Sequence, residues 1–566
     1  MAFHGKTSAS PTSPSLPEST QEFGRASPPV SMPSMSIANS EATNESPKLI
    51  FEPSNNSYMD GIHVNHIKKC EEIRQILDEL DDPSECLIMV DALQRLCIDY
   101  HFEEEINTIL DKHYGSLITF DNLGLHDIAL HFRLLRQVGY FVTTDVFDNF
   151  KDKKGHFKQE LSGDIRGLMS LYEASQLGIE GEDTLDQANE FAHKHLSAKM
   201  MNLEPELAKV VGDTLEHPYH KNLARFKARY YLSPHQTYKW VSVVKELAMM
   251  DFSMVQCLYL EELQHIYKWW REMGLSQELK FARNQPLKWY FWSLTALPEP
   301  KYSQQRIELT KPISLVYVID DIFDVHGTLD ELIHFTRAVN KWETTTVEEL
   351  PEYMKICFKA LDNITNEISE KVLKEHGWNP INILQKAWAS LCDAFLIEAK
   401  WFASKWVPKS KEYLENGVIS SGVPLVLTHL FFLLGQSLTK ENIYCLEHNP
   451  ALISCTATIL RLWDDLGSAK DEDQEGHDGS YIECYIKEHG AYSIKSPQDH
   501  IFCKISDSWK QLNRECLSKD LFSPIFKRAS LNVARMVPLM YSYEDNQNLL
   551  TLKEYINSVL YENVPF

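Results

Sequence analysis

The sequence predicts an all-α protein built as two helical domains behind a polar tail, and three observations predict it. From about residue 55 onward, apolar residues recur at spacings of three and four, the period of a helix with one buried face. Alternating strand patterns, and Asn-Gly or Asp-Gly hairpins between β-branched runs, are missing. The 566 residues are 43% hydrophobic and 24% charged, enough to bury sizeable cores in several domains or two large ones. No fixed period recurs, so a regular solenoid is not indicated.

The tail comes first. Residues 1–50 hold eleven Ser, four Thr and seven Pro with few large apolar residues, too little surface to bury for folding. A plastid transit peptide is Ser-rich, Arg-rich and poor in acid. Here Lys6, Arg25 and Lys48 stand against Glu18, Glu22, Glu41 and Glu45, which favours a disordered tail on a cytosolic protein, with a plastid transit segment as the alternative. The start MAFHGKTSASPTSPS lacks the apolar stretch of a secretory signal. Residues 51–245 form the expected N-terminal helical domain, carried by ECLIMVDALQRLCIDYHFEEEINTIL and ALHFRLLRQVGYFV. The polar stretch 217–236 interrupts the helical run and places a boundary near 245. Residues 246–566 form the second domain, with the densest aromatic and acidic clusters.

Composition removes several partners. Lys plus Arg is 56 against 80 Asp plus Glu, a net charge of −24, so nucleic acid and anionic membrane surfaces are poor partners. An acidic chain still binds an anion if it recruits divalent metal first. The eleven cysteines are scattered and form no CxxC pair, which is reduced-thiol usage. The most apolar run, 422–435, is too short to span a membrane and reads as a buried core helix.

Two segments carry chemistry. In ISLVYVIDDIFDVHGTLDEL, Pro312 suits a first helical turn, an apolar helix runs from Ile313 towards Gly327, and Thr328 with Glu331 makes a capping box for the next helix. Asp320, Asp321 and Asp324 then sit in the last two turns, Asp320 and Asp324 on one face. Clustered carboxylates at a helix C-terminus repel each other and oppose the dipole, so a positive partner is expected, and the apolar flank points to metal. In RLWDDLGSAKDEDQEG, Asp464, Ser468 and Glu472 lie at i, i+4 and i+8 on one face, hard oxygen donors suited to Mg²⁺ that bridges phosphate oxygens. Arg461 lies one turn earlier and suits an anion's oxygen. Two such sets facing one cavity make a polymetal clamp for a diphosphate. Around FARNQPLKWYFW, Arg283 is a candidate phosphate contact, and Trp289, Tyr290 and Trp292 are mostly core, with one or two able to offer π faces to a carbocation.

These residues resemble a family. DDIFD at Asp320–Asp324 and DDLGSAKDE at Asp464–Glu472 are similar to the aspartate-rich and NSE/DTE metal motifs of plant class I terpene synthases. LQRLCIDYHFEEEI, RLLRQVGYFVTTDVF, LYEAS, MDFS with EELQHIYKWW, and YIECYIKEHG extend the likeness over nearly the whole chain after the tail. The resemblance implies an N-terminal α-barrel-like domain and a C-terminal class I terpenoid synthase fold. It implies Mg²⁺, three ions per active site, or Mn²⁺, in a monomer acting on a prenyl diphosphate. By carry-over Asp320, Asp321 and Asp324 bind metal on one wall, and Asp464, Ser468 and Glu472 on the other. Asp320, Asp324 and Arg461 carry the ionisation, with Arg283, Trp292, Asp320, Arg461 and Asp464 facing the substrate. Ser421-Gly422 before Pro424 matches the kinked helix whose backbone faces the cation. The Gly-rich polar stretch 474–481 (QEGHDGSY) directly follows the second metal set, where a mobile lid would shield the cation from bulk water.

The departures from the family pattern matter as well. The tandem-arginine RRx8W motif is absent, RxR reads Arg283-Asn284-Gln285, and the C-terminal Asp-Gly-Tyr appears as YSYEDNQN, with Asp545 kept and Gln547 at the tyrosine position. A chain lacking these parts resembles the linalool and nerolidol synthases, which make acyclic tertiary alcohols. That implies (E)-nerolidol from farnesyl diphosphate and linalool from geranyl diphosphate. The alternative is a cyclising synthase making hydrocarbons. Elongating prenyltransferases need a second aspartate-rich motif in place of the Ser468/Glu472 set, and the DxDD of protonation-initiated cyclases is absent. Asp145 to Asp148 (DVFD) reads as surface, and His63 with His66 reads as a polar helix face without metal partners. A non-catalytic helical scaffold leaves two buried acidic faces unpaired, and stabilisation by Mg²⁺ plus diphosphate separates it from an enzyme.

Overall fold

Helix follows helix along the chain, and among the described residues the sole β pairing is an isolated bridge between Lys151 and Phe157. The structure, a computed structural model, describes residues 56–115, 123–225, 228, 238–436, 438–468, 480–489, 496–518, 521–541 and 552–562. The tail, the stretch 474–479, Glu472, Asp545 and Gln547 lie outside the described residues, as does the Ser468 side chain.

In the N-terminal part the caps match local sequence. Asp82 accepts from the Ser84 N–H at 2.9 Å ahead of Pro83–Arg95, and Asp164 accepts from the Gly167 N–H at 2.8 Å ahead of Ile165–Ser175. One core gathers Ile73, Met89, Phe102, Phe132, Leu171 and Leu196 with Val244 and Leu247. Those last two belong to helix Val241–Met273, which contains position 245 and runs on to an αL C-cap at Gly274. DVFD lies on a short 3₁₀ turn, Thr144–Phe150, with Asp145 and Asp148 exposed. His63 is exposed, but His66 is buried, so the polar-face reading fails for it.

The second group of helices includes Pro286–Ala296, Ser303–Asp321, Ile381–Ser404, Ser410–Ser420, Val423–Leu434, Ala451–Ser468, Pro497–Leu517 and Pro524–Met540. Arg306, fully buried, ties three elements together. Its Nε donates to Glu262 Oε2 at 2.8 Å and its Nη1 to the Leu297 and Glu299 carbonyls, while the Tyr290 hydroxyl donates to the same Glu262 oxygen at 2.9 Å. Paired in this way the buried charges are satisfied, whereas removing one partner costs about 3–5 kcal/mol.

Two local expectations are corrected. Pro312 does not open a helix but lies inside Ser303–Asp321. The preceding turns look too polar for a core helix, yet their Arg306, Glu308 and Lys311 are buried and ion-paired. The helix also does not run on to Gly327 in α geometry: Ile322–His326 is a π turn, closed by the Gly327 N–H on the Ile322 carbonyl at 2.8 Å. The Thr328/Glu331 capping box forms as expected.

The stretch Ser410–Leu434 is long and apolar enough to cross a membrane, but 78% of its most apolar window is packed inside the protein. It is also broken. Gly422 adopts φ 74°, and an added Cβ there would come within 2.8 Å of Val316 Cγ1, so only glycine fits the break.

Candidate active site

The first acidic wall is the end of helix Ser303–Asp321. Ile313, Leu315, Val318 and Ile319 fix the helix in the core, and the following π turn, a device common at functional sites, carries Asp324 at the exposed rim. Asp320 is half-buried and Asp321 buried. The positive partner that this crowding requires is Arg283. Its guanidinium pairs with Asp320 and lies 2.7 Å from Asp321 Oδ1, and its backbone N–H donates to Asp321 Oδ2 at 2.6 Å. Burial pushes the Asp321 carboxyl up, with Arg283 opposing it. The two aspartates in turn hold the Arg283 guanidinium charged against its own burial.

The second wall is the end of helix Ala451–Ser468. Here adjacent aspartates divide. Asp464 is about one-third exposed, whereas Asp465 is buried and accepts from the Tyr413 hydroxyl at 2.9 Å and the Tyr481 N–H at 2.8 Å. Burial lifts the Asp465 carboxyl to about 7 despite Arg461, with the Asp464 charge adding to the rise. Arg461 reaches Asp464 Oδ2 at 3.4 Å and donates to Ser420 Oγ at 3.0 Å. Ser420 and Asn416 donate to Glu398 Oε1 at 2.6 and 2.9 Å. Gly417 leaves room for Arg461, since a Cβ there would lie 3.0 Å from its Cγ.

Between the walls stand aromatic rings. The Tyr317 phenol is pushed up to about 12, chiefly by burial, and both Asp320 and Asp464 act on it, as they do on Tyr541. Trp292 Nε1 donates to Tyr317 Oη at 3.0 Å, and the Arg283 guanidinium lies over the Tyr317 ring at 4.9 Å. Lys288, 5.9 Å from the same ring, is held below the ordinary lysine range by burial and by Arg283. Trp289 and Tyr290 are fully buried core, and Trp292 lines the site. Arg283, Trp292, Asp320 and Asp464 therefore gather around Tyr317, with Asp321 held by Arg283 and Arg461 by Asp464. Tyr317, Tyr541, Lys288 and Glu398 were not read from sequence. Tyr317 alone carried a signal, three residues before Asp320 on its face.

Comparison with known proteins gives three kinds of match. The family model "Terpene synthase, N-terminal domain" matches residues 43–215, and "Terpene synthase family, metal binding domain" matches 271–511. An (E)-nerolidol synthase of Cannabis sativa is 51% identical over 87% of this chain and 91% of its own length. The chloroplastic S-(+)-linalool synthase of Arabidopsis thaliana is 46% identical over 93% and 92%. A chloroplastic tricyclene synthase of Antirrhinum majus is 46% identical over 89% and 88%. Among solved structures, isoprene synthase from grey poplar leaves, in complex with three Mg²⁺ ions and dimethylallyl-S-thiolodiphosphate, is 35% identical. It superposes with a TM-score of 0.81, covering 90% of this chain and 99% of that one.

Proposed function

The chain belongs to the terpene synthase family, and from that premise we propose that it releases diphosphate from an acyclic prenyl diphosphate and lets water capture the cation as a tertiary alcohol. As a member it is a lyase acting on prenyl diphosphates and depends on divalent metal. The finer reading assigns Mg²⁺, three ions, to Asp320, Asp321 and Asp324 on one side and Asp464, Ser468 and Glu472 on the other, with Mn²⁺ as a substitute. The donor chemistry fits, because the described members of both sets offer hard carboxylate oxygens. Bound there, divalent cations supply the positive charge that lets the diphosphate leave.

The observation that carries the reading is the meeting of two acidic wall ends around Tyr317, each with an arginine beside it. Arg283 and Arg461 bind diphosphate oxygens as the allylic C1–O bond breaks, exchanging part of their contact with Asp320 and Asp464 for the anion. Trp292 and Tyr317 offer π faces to the cation and keep bulk water out. A single held water adds at C3, the more substituted end of the allylic cation, and its proton passes to the departed diphosphate. Gln285, at the place of the family's usual second RxR arginine, and Gln547, at the place of the tyrosine that cyclases use, favour early quenching. Farnesyl diphosphate then gives (E)-nerolidol and geranyl diphosphate gives linalool.

Chain length follows the pool the enzyme meets. The acid-containing tail supports the cytosol and nerolidol, the chloroplastic relatives support the plastid and linalool, and a fluorescent fusion of the tail decides between them. The decisive experiment incubates the purified full chain with each diphosphate and Mg²⁺ and analyses the volatiles. Acyclic tertiary alcohols are expected. Mainly cyclic hydrocarbons, as the tricyclene synthase match allows, would overturn the alcohol reading while leaving the ionisation step intact.

A further inference from the structure

A second cluster of donors lies in the N-terminal helices, remote in sequence from the acidic walls. Helix Asn56–Glu79 carries His66 and Cys70 one turn apart on one face, and the 3₁₀ turn Asp99–His101 brings His101 against them. The Cys70 Sγ lies 3.9 Å from His66 Nδ1, and one donor atom from each of the three residues lies within 4.8 Å of the others. His66 and Cys70 are each 6% exposed. We propose that His66, Cys70 and His101 form a binding site for one zinc-class divalent cation.

Three observations support it. The donors are nitrogen and sulfur, which select zinc over magnesium, so this site and the oxygen-lined walls take different metals. Asp251, reaching in from helix Val241–Met273, lies 2.9 Å from His101 Nε2 and 3.6 Å from His66 Nε2. On His66 that leaves Nδ1, which faces Cys70 Sγ, for the cation, with a carboxylate behind the ring as in carboxylate–histidine–metal arrangements that fix ring orientation. His66 Nε2 is buried without a hydrogen bond, since 3.6 Å is too long for one, and contraction around a cation would close that gap. Ligand atoms around tetrahedral zinc stand roughly 3.5 Å apart, so the cluster needs to tighten by about 1 Å.

The test uses the full chain, stripped with chelator and returned to excess Mg²⁺, titrated with Co²⁺ and then Zn²⁺. A thiolate-to-cobalt charge-transfer band saturating near one ion per chain, and bleached by zinc, is expected. Cys70→Ser should lose the band, Cys503→Ser at an exposed thiol should keep it, and His66→Asn should weaken zinc binding at least tenfold. A wild-type chain that gives no such band, or a Cys70→Ser chain that keeps it, overturns the proposal. Because the readout is spectroscopic, it stands or falls apart from the terpene chemistry.

Discussion

Replacing Gly422 with alanine probes the helix break directly. The residue holds φ 74° and ψ −13°, a left-handed conformation that costs a residue bearing a Cβ about 1–2 kcal/mol. The new methyl also meets Val316 Cγ1 at 2.8 Å, a distance Cβ atoms essentially never show, and overpacking of this kind costs about 1–3 kcal/mol. The two together give a loss of about 2–5 kcal/mol, read as a shift in the urea midpoint at unchanged slope. Val316 lies one turn before Asp320, so the same push reaches the first acidic wall and should lower kcat as well. A double-mutant cycle separates the causes. In a Val316→Ala background the clash disappears and about 1–3 kcal/mol of the loss returns, while the backbone part persists. A loss under about 0.5 kcal/mol for Gly422→Ala, or no coupling to Val316, would refute the argument.

Two further outcomes can be checked. Asp320→Ala and Asp324→Ala should each abolish turnover in a way that excess substrate does not restore, and near-normal kcat in either variant would remove that residue from the metal set. Asp91 is buried, yet Arg133 and Arg95 outweigh burial and hold its carboxyl at about 2. Its contribution to stability is therefore complete above the unfolded value near 4 and is lost as pH falls towards 2. Acid unfolding of Asp91→Asn should show a shallower dependence in that window by about one proton, and equal slopes would contradict the assignment.

What the sequence made legible was whatever its own neighbourhood decides. The helical period, the Thr328 capping box, the Pro286 helix start and the acidic ends of two helices all depend on residues within a turn or two. What stayed hidden depends on partners far along the chain. The turns before Pro312 look like surface until Glu262 is known to meet Arg306. His66 looks like a polar face until His101 and Asp251 arrive. The division of labour between Asp464 and Asp465 is set by Tyr413 and the Tyr481 N–H, neither adjacent to them in sequence. The π turn at Ile322–His326 has no propensity signature of its own, so nothing in DDIFDVH announces it.

The broken apolar stretch has a consequence during synthesis. Val423–Leu434 is covered in part by residues that leave the ribosome later: Phe431 packs against Phe522 and Phe526 at 6.0 and 5.5 Å. At about 5–20 residues per second, the roughly one hundred residues separating the stretch from the end of its cover take about 5–20 s to make. Throughout that interval the face of Val423–Leu434 that meets these later residues stands uncovered, while the earlier helices Ser303–Asp321 and Ile381–Ser404 pack on the rest. Truncation before residue 522 removes both phenylalanines and leaves that face of the apolar helix bare.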